Sequence, residues 1–242
     1  MPRTNWTIAP LVLATAVRSI SQVLLMSPLG ADMDTAVLGW LLRNGDETVV
    51  VDTGFGELRT EDLKGNFNRT PEQTLEAQLR RFDLAPEDIR LVVNTHLHVD
   101  HCSGNRFLPN ARFVVQGSEL EYARNPLPAH RPAYDIDLAH MNLDLLDGDA
   151  EITDGIRVIV TPGHSPGSQA VLVDTEGGLF VLAGDTICHY VNMDVPAGAS
   201  FWPGPLYVDL RQVYESLDRL RDLGGTILPG HDALVLRKTI YP

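Results

Sequence analysis

Three short apolar runs in this chain each end in a glycine turn followed at once by a side chain of metal-binding type: Val160-Thr161-Pro162-Gly163-His164, Leu182-Ala183-Gly184-Asp185 and Leu228-Pro229-Gly230-His231. A strand that opens into a glycine turn delivers its next side chain to the edge of a sheet. A sequence that does this in separate places must bring several strand ends to one edge. With 242 residues, 44% of them hydrophobic, the chain has the apolar material for one continuous core, and residues 1–242 are read as a single domain.

Short β-rich runs recur at 36–42, 48–51, 91–93, 112–115, 156–160, 170–173 and 179–182, bounded by Gly, Asp and Asn. The apolar N-terminal stretch 8–26 is interrupted by Pro10, Arg18, Ser19 and Ser21, so it reads as strands and not as a secretory signal or a membrane span. Helices alternate with these runs. Thr70-Pro71-Glu72-Gln73 has the form of a capping box with Pro at the first helical position, and Leu75, Leu79 and Phe82 continue one apolar face. Residues 210–223 carry Leu210, Val213, Tyr214, Leu217, Leu220 and Leu223 at helical spacing, with Asp209 to cap the start and Gly224 to end it. That stripe is core packing. Strands followed by a helix in each half call for two packed sheets with helices outside. Segments 125–141 and 189–207, rich in Pro and aromatics, are expected as surface loops that shape a pocket.

The densest chemistry follows the run Leu91-Val92-Val93, where Asn94-Thr95-His96-Leu97-His98-Val99-Asp100-His101 places three imidazoles and a carboxylate within six residues. In an extended stretch His96 and His98 point to the same side, so both can grip one ion. The turn that follows aims Asp100 and His101 at a neighbouring position. A solvated polar loop explains one histidine, not this cluster. The formal charge of −13 argues against nucleic acid as a partner, since phosphate contacts need clustered Lys and Arg. Cys102 and Cys188 are far apart and outside any CxxC pattern, which indicates neither a disulfide framework nor a zinc-thiolate site and fits a cytoplasmic setting.

His96-x-His98-x-Asp100-His101, then His164, Asp185 and His231, resembles the full ligand set of the metallo-β-lactamase superfamily, and the upstream Val51-Asp52-Thr53-Gly54 is similar to that family's strand-turn signature. The resemblance implies an α+β fold, the αβ/βα four-layer sandwich, with two metal ions at one edge. It assigns His96, His98 and His164 to the first ion, Asp100, His101 and His231 to the second, and Asp185 to both as a bridge. Asp52 reads either as a turn former or as a partner that orients a ligand histidine. With only nitrogen and oxygen donors, zinc is the first expectation, and manganese, iron and cobalt are alternatives. Two bridged ions can share a water and lower its pKa from about 16 to about 7, so a metal-bridging hydroxide is the expected nucleophile, with Asp100 orienting it.

For the substrate, the residues after His231 are too few for the helical domain of glyoxalase II-type thioesterases, and His98 stands where flavo-diiron proteins carry Glu. Within the superfamily, Phe113-Val114-Val115-Gln116-Gly117-Ser118-Glu119-Leu120-Glu121-Tyr122-Ala123 and Leu41-Leu42-Arg43-Asn44-Gly45-Asp46 resemble the N-acyl-homoserine lactonases. Glu119 and Tyr122 otherwise read as members of a surface helix. The resemblance implies a small-molecule lactone as substrate; hydrolysis of another cyclic amide, ester or thioester, or metal binding without turnover, are the alternatives. Those lactonases place a tyrosine three residues after the bridging aspartate, where this chain has Cys188. His189 or Tyr190 is expected to take the catalytic place of that hydroxyl, and Tyr190 is the better substitute. Cys188, Tyr134, Phe201, Trp202 and Tyr207 are the expected substrate contacts. The family resemblance also makes a homodimer an expectation, and no membrane partner is expected.

Overall fold

In the computed structural model, which describes residues 5–27, 30–58, 67–139 and 141–242, two sheets face one another. The first has six strands among the described residues, in the order β1 (Thr7–Ser19), β2 (Asp32–Asn44), β3 (Glu47–Val51), β4 (Leu91–Val93), β5 (Arg112–Gln116) and β6 (Leu143–Leu146). Pairing is antiparallel from β1 to β3 and parallel from β3 to β6. The second has the order β11 (Thr226–Leu228), β10 (Gly178–Leu182), β9 (Gln169–Thr175), β8 (Ile156–Val160) and β7 (Ala150–Thr153), antiparallel except for the β10–β11 pair.

The layering follows from side-chain alternation. Leu38, Trp40, Val51, Val93 and Val114 of the first sheet meet Ile156, Val158, Val171, Val173 and Leu182 of the second in a buried seam between the sheets. The opposite face of the first sheet carries Leu11, Leu41, Val50 and Val92, which pack on Leu75 and Leu79 of helix α1 (Leu75–Arg80). The opposite face of the second carries Ile159, Leu172 and Val181 against Val213, Leu217 and Leu220 of helix α4 (Leu210–Asp222). Strands buried on both faces need apolar residues at every position, which is why β3, β4 and β9 read as continuous runs. Helix, sheet, sheet and helix are the four expected layers.

Strand directions set the site. β3 and β4 run parallel, β10 and β11 run parallel, and β8 and β10 both pair antiparallel with β9 between them and so run the same way as each other. The last residues of these five strands, Val51, Val93, Val160, Leu182 and Leu228, therefore all lead to the same edge, with an N–H of Ala36 on the carbonyl of His231 at 2.9 Å joining the two sheets there.

Some expectations shift in detail. The stretch 8–26 is one strand that stops at Ser19 and passes into a short 3-10 turn, Ile20–Gln22. The Thr70 capping box closes only a 3-10 turn at Pro71–Gln73; the α-helix begins at Leu75, where Thr74 Oγ1 accepts the N–H of Ala77 at 3.2 Å. Strands β6 and β7 were not expected, being short and half polar, and β11 was expected only at its end, where Leu228 opens into the turn before His231. No helix among the described residues is long and apolar enough to cross a membrane.

Helix α4 starts as the sequence predicts, with Asp209 accepting the N–H groups of Arg211 and Gln212 at 2.9 and 3.1 Å. Leu217→Ala should destabilise the protein by about 2–5 kcal/mol through the cavity it leaves against β9 and β10, whereas Asp209→Ala should cost about 1 kcal/mol. Urea denaturation of both variants checks the ordering, and equal losses would contradict this account of how α4 is held.

Candidate metal centre

The loop after β4 owes its shape to a single carboxylate. Asp52, at the end of β3, sits in the left-handed region with φ +55°. Its Oδ1 accepts the N–H of Thr95 at 2.8 Å, and its Oδ2 accepts the Thr95 hydroxyl at 2.7 Å and Nδ1 of His101 at 2.8 Å. Asp52 thus both makes the turn and orients His101. His96 and His98 leave the extended segment on one side, their ring centroids 4.5 Å apart. His98 then starts helix α2 (Val99–Cys102), whose one turn carries Asp100 and His101.

Two donor groups result: His96, His98, His164 and Asp185 in one, Asp100, His101 and His231 in the other, with the ligand atoms of each group within 4.8 Å of one another. Asp185 faces both. Its Oδ2 lies 3.5 Å from Nε2 of His164, and its Oδ1 lies 2.9 Å from Nε2 of His231 and 3.2 Å from Nε2 of His101. Glycine is required where these turns touch: a Cβ on Gly230 would stand 2.6 Å from the carbonyl oxygen of Gly184, which itself precedes Asp185 at φ +51°.

The hydrogen bonds on the far side of each ring decide which nitrogen faces inward. Nδ1 of His164 donates to the Leu206 carbonyl and Nδ1 of His231 to the Ala36 carbonyl, both at 2.9 Å, because a carbonyl can only accept. Nδ1 of His101 donates to Asp52. The Thr95 hydroxyl has spent its proton on Asp52, so its oxygen accepts from Nδ1 of His96 at 3.1 Å. Four Nε2 lone pairs consequently converge. Nε2 of His101 and His231 are 3.2 Å apart, Nε2 of His164 is 3.1 Å from Nδ1 of His98, and Nε2 of the fully buried His96 has no partner. Lone pairs turned on each other in a dry site repel unless a cation or a proton lies between them. The donor chemistry fits two divalent ions.

Protonation follows the same division. Burial, then His101 and the other site histidines, pushes His96 well below its ordinary pKa, and burial followed by His164 does the same to His98. Burial works against protonation of His101 too, but Asp185, Asp100 and Asp52 outweigh it and raise the pKa well above the ordinary value; His231 is raised against burial by Asp185. Burial would raise Asp185, yet His231, His101 and His164 hold it well below the usual carboxylate range. In the absence of a cation the neighbouring carboxylates thus favour protonation of His101 and, less strongly, of His231.

Sequence reasoning set Glu119 on a surface helix; the structure buries it completely. Helix α3 (Gly117–Arg124) turns Leu120, Ala123 and Glu119 inward together. The Glu119 carboxylate accepts four bonds: from the N–H of Leu97 at 3.0 Å, the Tyr134 hydroxyl at 2.9 Å, the Ser165 hydroxyl at 2.6 Å and the N–H of Gly167 at 3.0 Å. Leu97 lies between His96 and His98, and Ser165 follows His164. One buried carboxylate therefore ties together the two loops that carry the first donor group. A signal was present, since Gln116, Glu119, Leu120 and Ala123 fall at i, i+3, i+4 and i+7.

A cavity of about 200 Å³ opens onto the metal centre, walled by Asp100, His164, Asp185 and His231 together with Arg18, Val23, Phe67, Cys188, His189 and Leu206, among others. Of the other expected contacts, Cys188 and His189 line it. Burial, then Asp185 and Asp100, raises the Cys188 thiol, so it stays protonated. Burial and His231 lower His189 to about 3, and this neutral ring bonds through Nε2 to the Thr35 hydroxyl at 3.1 Å. Tyr190 instead packs on the core between the sheets, its hydroxyl pushed up to about 12 by burial and by Tyr241. Tyr134 lies under His98, with ring centroids 4.6 Å apart and its hydroxyl committed to Glu119. Phe201 and Tyr207 pack against the α4 layer, and Trp202 is 47% exposed. None of these five walls the cavity.

Comparison with known proteins agrees with this geometry. Residues 33–231 match the family profile described as metallo-beta-lactamase superfamily. An N-acyl homoserine lactonase of Bacillus thuringiensis is 33% identical over 160 residues, 61% of this chain and 62% of the relative, so the chain matches about three fifths of that protein's length. The N-acyl homoserine lactonase AttM of Rhizobium radiobacter is 27% identical over 229 residues, 84% of each chain. A crystal structure of a B. thuringiensis AiiA variant with N-decanoyl-L-homoserine at its active site superposes with a TM-score of 0.80 at 25% identity, covering 98% of this chain and 96% of that one. An N-acyl homoserine lactone hydrolase with the product N-hexanoyl-L-homoserine at its catalytic metal centre gives 0.79 at 25% identity, with 98% and 96% covered.

Asp185→Ala should lower the metal content of the purified protein at both positions, read by atomic absorption; unchanged stoichiometry would refute the bridge. Loading metal-free protein with zinc at pH 7 should release protons, because the neighbouring carboxylates raise the pKa of His101 well above the ordinary value and a cation displaces the proton held there. Calorimetric titration in buffers of different ionisation heat measures this release, and heats independent of the buffer would contradict it.

Proposed function

The chain belongs to the metallo-beta-lactamase superfamily, and from that premise we propose that it is a dinuclear zinc-dependent hydrolase that opens a lactone ring. The observation that carries this reading is the pair of donor groups bridged by Asp185 at the floor of a cavity, in a chain similar over nearly its full length to proteins solved with ring-opened acyl-homoserines. Two divalent ions bound there supply an acidified water at neutral pH and a Lewis acid for the scissile carbonyl.

The protein's own contribution is position and charge. His96, His98 and His164 would hold one ion and His101, His231 and Asp100 the other, with Asp185 facing both groups. Asp100 Oδ2, 3.8 Å from Nε2 of both His101 and His231, is placed to orient the attacking water and to accept its proton. The neutral His189 offers the substrate a polar group with no charge change during turnover. Val23, Pro205 and Leu206 keep bulk water from the reacting bond. The protonated Cys188 thiol offers no nucleophile, and no tyrosine among the described residues walls the cavity, so the carbonyl is polarised without a phenol.

The test is a substrate panel with metal control. Purified protein should release acid from five-membered lactones, lose this activity to a chelator, and regain it with zinc. Inertness toward every lactone, with turnover of a β-lactam or a thioester, would reject the lactone reading and keep the hydrolase; inertness toward all of them in the zinc-loaded protein would reject both.

A further inference from the structure

Among the described residues, the wall of the cavity over the metal centre contains one cation that the chemistry described so far does not use. Arg18, near the end of β1, shares its face of the strand with the buried Ala14 and Ala16, while Val17 between them is 53% exposed. The alternation therefore carries the arginine inward, where it is half-buried in the cavity wall. Its guanidinium lies over the Phe67 ring, 4.4 Å from the centroid, a stacked arrangement that fixes its plane. Among the described residues it has no hydrogen bond and no ion pair; burial acts to lower its pKa, opposed by the charge of Asp100. Gln22 stands beside it at the cavity mouth, with its Oε1 holding the N–H of Ser19 at 3.2 Å, which leaves its amide N–H groups to donate.

An arginine half withdrawn from water without hydrogen-bond acceptors carries part of that desolvation cost, which a ligand that supplies acceptors recovers. Among the described residues the carboxylate whose charge acts on Arg18 is Asp100, and it belongs to the second donor group, so it does not serve as the guanidinium's partner. A long neutral acyl chain would bury the guanidinium further and leave it unpaired. The cavity, at about 200 Å³, is below the roughly 300–1,000 Å³ of usual small-molecule pockets, which favours a short substrate. We propose that Arg18, with Gln22, forms a subsite for a carboxylate on the substrate's acyl side, so that the preferred lactone is compact and anionic. This inference rests on the lactone reading and names its substrate class.

The experiment compares two homoserine lactones of matched length, one N-acylated with glutarate and one with hexanoate, on zinc-loaded wild type, Arg18→Met and Arg18→Lys, each checked for folding by thermal melting. In the wild type kcat/KM should favour the glutaryl compound by roughly tenfold or more, the scale of a charge-assisted contact. The preference should come through KM and shrink as salt is raised. Arg18→Met should abolish it and Arg18→Lys should keep part of it. Equal or better turnover of the hexanoyl lactone, or a preference unchanged in Arg18→Met, would overturn the proposal. Should neither lactone be opened, the lactone reading fails by itself, and the subsite is then decided by calorimetry with the ring-opened compounds: glutaryl-homoserine binding roughly tenfold tighter than hexanoyl-homoserine, with the difference lost in Arg18→Met, upholds the subsite, and equal binding rejects it.

Discussion

Four imidazole lone pairs pointed at one another inside a buried edge are the constraint around which this protein is organised. Each is forced inward by a hydrogen bond on the opposite ring nitrogen: Ala36 and Leu206 carbonyls hold His231 and His164, Asp52 holds His101, and Thr95 holds His96. Those outer bonds set the tautomers, so the inward repulsion is built in by the scaffold and relieved by cations. The same bonds explain why the partners come from so far apart in sequence. Ala36 belongs to β2 and His231 follows β11, so one ligand's orientation depends on both sheets being closed over their shared core. Metal affinity and sheet packing are thus coupled: a cation at the site favours the closed sandwich, and the closed sandwich presents the site.

The sequence made the fold legible where local pattern and tertiary demand coincide. Largely buried strands such as β4 and β8 read as apolar runs, and their bounds agree with the runs 91–93 and 156–160. The amphipathic stripe of α4 and its Asp209 cap were equally plain. β7 was hidden for an opposite reason: it is an edge strand with half-exposed residues, too little pattern to stand out from a loop, and the three-residue β11 was legible only at its end, in Leu228-Pro229-Gly230-His231. The Thr70 box misled because Thr74 competes as a cap four residues on, and the α-helix follows the later one.

At the site, the donor residues were visible because ligand chemistry restricts residue type, whereas the walls were not. Aromatic residues were expected against the substrate because they lie in irregular loops. Yet a loop aromatic pays for its exposure unless it packs, and Tyr134, Tyr190, Phe201 and Tyr207 all pack elsewhere. Glu119 shows the reverse error. A charged residue on a short helix reads as solvated by default, and the default fails when four donors converge on it. Its environment is assembled from β4, the loop after β8 and the 3-10 turn at Tyr134, which no window of sequence around position 119 contains.

Glu119 and Asp52 also divide the centre into two mechanically distinct halves. Asp52 reaches His101 directly and His96 through Thr95, holding rings, while Glu119 holds backbone and hydroxyl groups next to His96, His98 and His164 without touching an imidazole. The first sets tautomer and basicity; the second sets where the loops lie. Asp185 joins the halves, since one of its oxygens faces His164 and the other faces His101 and His231. Two supported donor groups meeting at one shared carboxylate would hold a pair of cations through groups that no cavity-wall loop has to move. Adaptation to different substrates is then left to the cavity wall contributed by β1 and the loops, where Arg18, Cys188 and His189 sit, and those residues can vary without disturbing the groups that hold the metals.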